Sequence, residues 1–164
     1  MKTRILVPVD YSECSAAALR FALHVGAEHD ADVDVLHVCS GAELVSTSAG
    51  FGQPFDEVED DVRGDELEKL EAFVSSVSLV RERVSTRVVF GPTVDVVVAV
   101  SESGGYDMVI LGVRGTSGLH KLIFGSVARG VVEHAKCSVM AVKEGDKPPR
   151  WFVHPRLTDD DGTS

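Results

Sequence analysis

A chain of 164 residues with 44% hydrophobic and 26% charged content has the make-up of one globular domain, able to bury roughly 70% of the surface its unfolded form exposes. Its formal net charge of −10 speaks against a nucleic-acid partner, because duplex binding rests on neutralising phosphates with Lys and Arg, and means that any anionic ligand must be held by local groups. No apolar run approaches the ~20 residues that span a bilayer, and Met1-Lys2-Thr3-Arg4 leads straight into a strand-like run, so no membrane association, no signal peptide and a cytoplasmic location are expected.

Arg4 to Val9 is apolar on both faces, the pattern of a central parallel strand. Ser12 can cap the next element, and Ala16, Leu19, Leu23 and Ala27 recur at helical spacing over about Glu13 to His29. Ala31 to Val38 reads as a second strand. Cys39 to about Pro54, with Gly41, Gly50 and Gly52, is loop-like, and its length suits either a lid over a ligand or a disordered segment. Asp56 to Val77 is expected to be a helix, with Leu67, Leu70, Val74 and Val77 three and four apart and acidic residues at its start, where the dipole favours them.

Arg83 to Phe90 alternates as a third strand, and Gly91-Pro92 breaks it. Thr93 to Ser103 carries Val94, Val96, Val97, Val98 and Val100, which strands prefer. A crossover must nevertheless join parallel neighbours, and Thr93 is a usable cap, so a helix is predicted there. Met108 to Gly112 is a fourth strand, about Ser126 to Ala135 a helix, and about Ser138 to Lys143 a fifth strand. The alternation predicts an α/β fold with an open, doubly wound parallel sheet, whose ligands lie beyond the carboxyl ends of the strands. Residues 1–144 form the expected domain. From Gly145 to Ser164 the prolines and the closing acidic run predict a flexible tail, with Trp151 and Phe152 as rings that suggest docking on this domain or a partner.

The cysteines Cys14, Cys39 and Cys137 are odd in number and far apart, as reduced thiols are. His24, His29, His37, His120, His134 and His154 show no ligand spacing, and no metal centre is expected.

The most informative stretch is Asp107 to Val142. A short apolar run stops at Gly112; Gly115 follows, then Gly125-Ser126, where the amphipathic pattern of Val127, Val131 and Ala135 begins. Strand, glycine-punctuated loop and helix N-terminus in that order favour an anion, since the first amides of a helix lack intrahelical acceptors and the dipole adds partial positive charge. Glycines there permit a sharp turn and close approach to a phosphate, although a plain turn also accounts for Gly112 or Gly118.

The spacing Gly112-x2-Gly115-x9-Gly125-Ser126 resembles the nucleotide-binding signature of the universal stress protein family, in its ATP-binding branch. The resemblance extends to Ile5 to Asp10, Val35 to Val38, Gly91-Pro92 and Cys137 to Val142, with Ser138 where the family usually has proline. It implies a three-layer, Rossmann-like sheet of the adenine nucleotide alpha hydrolase type, with five parallel strands in the order 3-2-1-4-5. It further implies that ATP binds with Mg or Mn, with Pro8, Val9 and Asp10 bordering the adenosine and Asp10 accepting from ribose hydroxyls or helping to hold the cation. Without the resemblance Asp10 reads rather as a helix cap or a loop carboxylate. Val38 would meet adenine through its backbone. Gly112, Val113, Arg114, Gly115, Thr116 and Ser117 would surround ribose and phosphates, and Gly125, Ser126, Val127 and Ala128 would lie beneath them. Arg114, His120 and Lys121 either add charge near the phosphates or are solvated.

The family typically forms homodimers, and the apolar strand Ser138 to Lys143 at a sheet edge offers a physical reason. There is no G-x-x-x-x-G-K-[ST] loop and no nucleophile beside a recognisable base, so binding with at most slow hydrolysis is expected. The expected function is that of a nucleotide-dependent stress-response regulatory module. The competing readings are a nucleotide-free adaptor for an unidentified protein client and a slow ATP hydrolase.

Overall fold

The computed structural model describes residues 2–40, 55–78, 82–115 and 122–146. The expectations for the loop 41–54, for Thr116, Ser117, Gly118, His120 and Lys121, and for Trp151 and Phe152 fall outside these residues. The elements run β1 (Arg4–Val9), α1 (Glu13–His29), β2 (Asp32–Cys39), α2 (Phe55–Val77), β3 (Val84–Phe90), α3 (Thr93–Ser103), β4 (Met108–Gly115), β5 (Leu122–Ile123), α4 (Ser126–His134) and β6 (Ser138–Lys143). Five strands are parallel in the order β3-β2-β1-β4-β6, which is 3-2-1-4-5 once the short β5, antiparallel to the end of β4, is set aside.

The central strands β1 and β4 are largely apolar on both faces, and helices cover both. Ile5, Val7 and Val9 of β1 pack with Val33 and Val35 of β2 against Ala18 and Leu19 of α1 and Leu70 and Val74 of α2. Leu6 and Leu36 turn the other way, towards Val97 of α3 and Ala128 and Val131 of α4. Val97 is fully buried, and that burial outweighs the strand propensity of the valines, so 93–103 is helical as expected. Thr93, however, is not the cap. Pro92 takes the N-cap position in extended geometry, without a side-chain cap bond.

The fourth strand does not end at Gly112. Its ladder with β6 continues through Gly112↔Val142 and Val113↔Lys143, and then Arg114 and Gly115 pair with Ile123 and Leu122 of β5. Glycine inside a strand marks a close backbone approach, and the neighbour here is the first turn of α1. A Cβ on Gly112 would lie 2.3 Å from the carbonyl oxygen of Cys14 and 2.7 Å from the amide nitrogen of Ser15.

The consequence for function lies between β1 and β4. β1 pairs with β2 from Arg4↔Asp32 to Val9↔His37, but with β4 only at Ile5↔Met108 and Leu6↔Val109. Beyond those two pairs the strands part, which opens the sheet at its topological switch point. Since the clash at Gly112 is with backbone, Gly112→Ala should lower stability by about 1–3 kcal/mol, the usual range for overpacking. Urea unfolding should show a lower midpoint at unchanged slope. An unchanged midpoint would mean that α1 is not seated on β4 in this way.

Candidate functional site

The parted strands lead into a cavity of about 480 Å³ at the carboxyl end of the sheet. Its floor is Pro8, Val9 and Asp10 at the end of β1, Leu36, His37 and Val38 of β2, and Leu111, Gly112 and Val113 of β4. The walls are the starts of three helices: Ser12, Cys14 and Ser15 for α1, Thr93 for α3, and Gly125, Ser126, Val127 and Ala128 for α4. Three helix N-termini aimed at one space concentrate unpaired amides and partial positive charge there. At α4 no side chain caps the first turn, and a Cβ built on Gly125 meets nothing within 4 Å. The ligand-sized space and the uncapped amides therefore coincide.

Pro8, Val9, Asp10, Val38, Gly112, Val113, Gly125, Ser126, Val127 and Ala128 thus converge from four separate parts of the sequence on one cavity. Arg114 and Gly115 are placed by their backbones in the β4–β5 hairpin, and Thr116 and Ser117 lie outside the described residues. Ser12, Cys14, Ser15, Leu36, His37, Thr93 and Leu111 were not foreseen as lining residues. For Ser12 and Thr93 a signal existed: a residue that opens a helix after a parallel strand faces the same crevice as the strand end.

Asp10 is the one acidic side chain in the lining among the described residues. Its Oδ1 accepts from the Ser12 amide at 3.1 Å and the Ser12 hydroxyl at 2.5 Å, while the Ser12 Oγ accepts from the Ser15 amide and so caps α1. Between them Tyr11 sits at φ 62°, a left-handed conformation rare for a bulky residue. A carboxylate lining the same cavity as uncapped helix-start amides is suited to a hydroxyl donor or a cation.

The universal stress protein family model matches residues 1–143. Universal stress protein YxiE of Bacillus subtilis is 29% identical over 149 residues, covering 87% of this chain and 100% of the relative. The solved structure of MJ0577 from Methanocaldococcus jannaschii superimposes with a TM-score of 0.62 at 25% identity, covering 90% of this chain and 99% of that one. A family protein from Arabidopsis thaliana, solved with AMP bound, shares the fold at 21% identity and a TM-score of 0.55, covering 90% and 96%.

Burial opposes the charged form of Asp10, but the hydrogen bonds from Ser12 and Ser15 outweigh it and hold its pKa below the ordinary 3.8. A depressed pKa contributes stability that is present above the unfolded value and lost as pH falls through the folded one. Ser12→Ala should raise the Asp10 pKa, read from its carboxyl carbon shift, and shrink the acid-side loss of stability. Removing the cap should also destabilise α1 by about 1 kcal/mol. An unmoved Asp10 titration would rule out the Ser12 hydroxyl as the group that holds it.

Proposed function

The chain belongs to the universal stress protein family, and we propose that its cleft binds an adenine nucleotide, ATP with Mg or Mn, as the switch of a cytoplasmic stress-response regulatory module. The observation that carries this reading is the meeting of three helix N-termini over an apolar floor. A cavity of about 480 Å³ falls in the size range of small-molecule sites, and its two halves differ in chemistry. Pro8, Leu36, Val38, Leu111 and Val113 offer an apolar surface for a base, with the Val38 backbone at its edge. The first turn of α4 offers amides and the Ser126 hydroxyl for phosphates, with Gly125 leaving room for them. Asp10 lines the same cavity and would meet a ribose or a phosphate-bound cation. The AMP in the Arabidopsis protein of the same fold supports this reading.

Slow turnover fits the same lining. Asp10 is committed to Ser12, and His37 holds the Val9 carbonyl with Nδ1 while its Nε2 faces Glu66, so neither is poised to activate a water. Among the described residues no helix is long and apolar enough to cross a membrane.

Dimerisation belongs to the same proposal. β6 has β4 on one side and no strand on the other among the described residues, and an open edge invites a second copy. Val142 is 1% exposed and belongs to the core, so it cannot serve the interface; Val139, Met140 and Ala141 are half-buried.

At a hundredfold excess over its dissociation constant ATP should add about 2.7 kcal/mol, raising Tm by roughly 5–10 °C. Gly125→Val puts a branched side chain into the open space at the α4 start and should abolish that shift. The quantity to read is the ATP-induced change within each variant, because the substitution also alters an N-cap. No shift with ATP, ADP or AMP at millimolar concentration would favour the adaptor reading, and turnover above roughly 1 per second would favour the enzyme.

Val139→Glu should move the protein towards monomer in sedimentation, through the charge it sets beside the open edge. An undiminished dimer in that variant places the interface elsewhere.

A further inference from the structure

On the α1/α2 side of the sheet, next to the cleft, three different donor groups meet. His37 and Cys39 stand two residues apart on β2 and therefore share a face, and Glu66 reaches them from α2. One ligand atom from each lies within 4.8 Å of the other two. The spacing of the histidines gives no sign of this grouping, because the third donor comes from another element.

The hydrogen bonds define the state of the imidazole. His37 Nδ1 is 2.9 Å from the Val9 carbonyl oxygen, which can only accept, so Nδ1 carries a proton and donates it. In the neutral ring Nε2 is then a lone pair, yet it faces Glu66 Oε2 at 3.5 Å, another acceptor. The His37 side chain is 11% exposed and that of Glu66 21%, so the pair is largely shielded from bulk solvent. Two acceptors confronting each other at a half-buried site favour a cation between them. A histidine anchored through its far N–H to a backbone carbonyl is also how metal-binding imidazoles are commonly oriented.

We propose that His37 Nε2, Cys39 Sγ and a Glu66 carboxylate oxygen bind one divalent transition ion, Zn²⁺ above all. Nitrogen, sulfur and oxygen donors together suit zinc and disfavour magnesium or calcium. One thiolate and one carboxylate balance the two charges of the ion, so the occupied site is neutral in a setting where net charge would be costly. Binding breaks the Cys39 S–H bond, forms a zinc–sulfur bond and releases the proton to solvent. The Tyr11 hydroxyl, which donates to Glu66 Oε2 at 2.9 Å, gives up that oxygen or shares it, and the fourth zinc position is left for water.

The full chain, stripped with a chelator and kept reduced, is titrated with Zn²⁺ against a chromophoric chelator and, separately, with Co²⁺ as an optical probe. One equivalent should bind, and cobalt should give a thiolate charge-transfer band in the near ultraviolet. The band should persist in Cys14→Ser and Cys137→Ser and vanish in Cys39→Ser. Glu66→Gln should weaken zinc about 100-fold or more, beyond the loss typical of an outer-shell partner. That half-buried position keeps an oxygen for Tyr11, so it reports on the site even if Cys39→Ser fails to fold. Absence of the thiolate band, or undiminished zinc affinity in Glu66→Gln, overturns the proposal and leaves a proton as the cation between His37 and Glu66.

Discussion

The first turn of α1 rests directly on the backbone of β4, and the missing side chain at Gly112 is what permits it. This contact fixes where the chain can go after β1. With α1 resting against β4 at Cys14 and Ser15, the β1–α1 turn must carry Asp10, Tyr11 and Ser12 over the gap where β1 and β4 have ceased to pair. α1 covers the gap on one face, while the starts of α3 and α4 line the cavity that opens from it. The cleft is therefore a product of packing as much as of topology, and its polar wall, Ser12 and Ser15, is set by the same helix that closes its back.

The electrostatics of the cleft run against those of the whole molecule. A net charge of −10 repels an anion at long range, but the Debye length at physiological salt is about 8 Å, so charges spread over the surface count for little at the site. Within a few ångströms the uncapped amides of α4 and the starts of α1 and α3 dominate. These groups carry no integral charge and do not titrate, so the phosphate proposed for the cleft would need no cluster of basic side chains in this acidic protein. Asp10 is the exception, and the hydrogen bonds from Ser12 and Ser15 that keep it ionised also tie it to the helix start.

Much of this was legible in the sequence because periodicity is a local property. The bounds of β1 and α1 coincide with their expected ones, and the valine-rich 93–103 is a helix because parallel neighbours require a crossover and Val97 has a core to enter. What escaped depends on contacts between distant segments. A glycine looks alike whether it serves a turn or a close approach, so Gly112 read as a strand end when it lies inside one. Val139 and Val142 are equivalent by composition, yet three positions apart on a strand puts them on opposite faces, and only the structure shows which one is core. The meeting of Glu66 with His37 and Cys39 has no local signature, because it depends on where α2 crosses β2.

Tyr11 joins these two levels. Its left-handed backbone carries about 1–3 kcal/mol of strain that surrounding contacts must offset. Those contacts come largely from outside the cleft: the hydroxyl binds Glu66, the ring lies 4.4 Å from that of His37 and meets the edge of Phe73 at 5.5 Å, and the Lys69 ammonium sits 4.5 Å above it. Among the described residues no α2 side chain lines the cavity, yet three of these four contacts to Tyr11 come from α2. The placement of the Asp10 carboxylate thus rests on a helix it does not touch. A change in charge at His37 and Glu66 would reach the cleft directly, since His37 lines it, and also through that turn, because Tyr11 cannot release Glu66 without loosening one of the contacts that hold its own backbone in place.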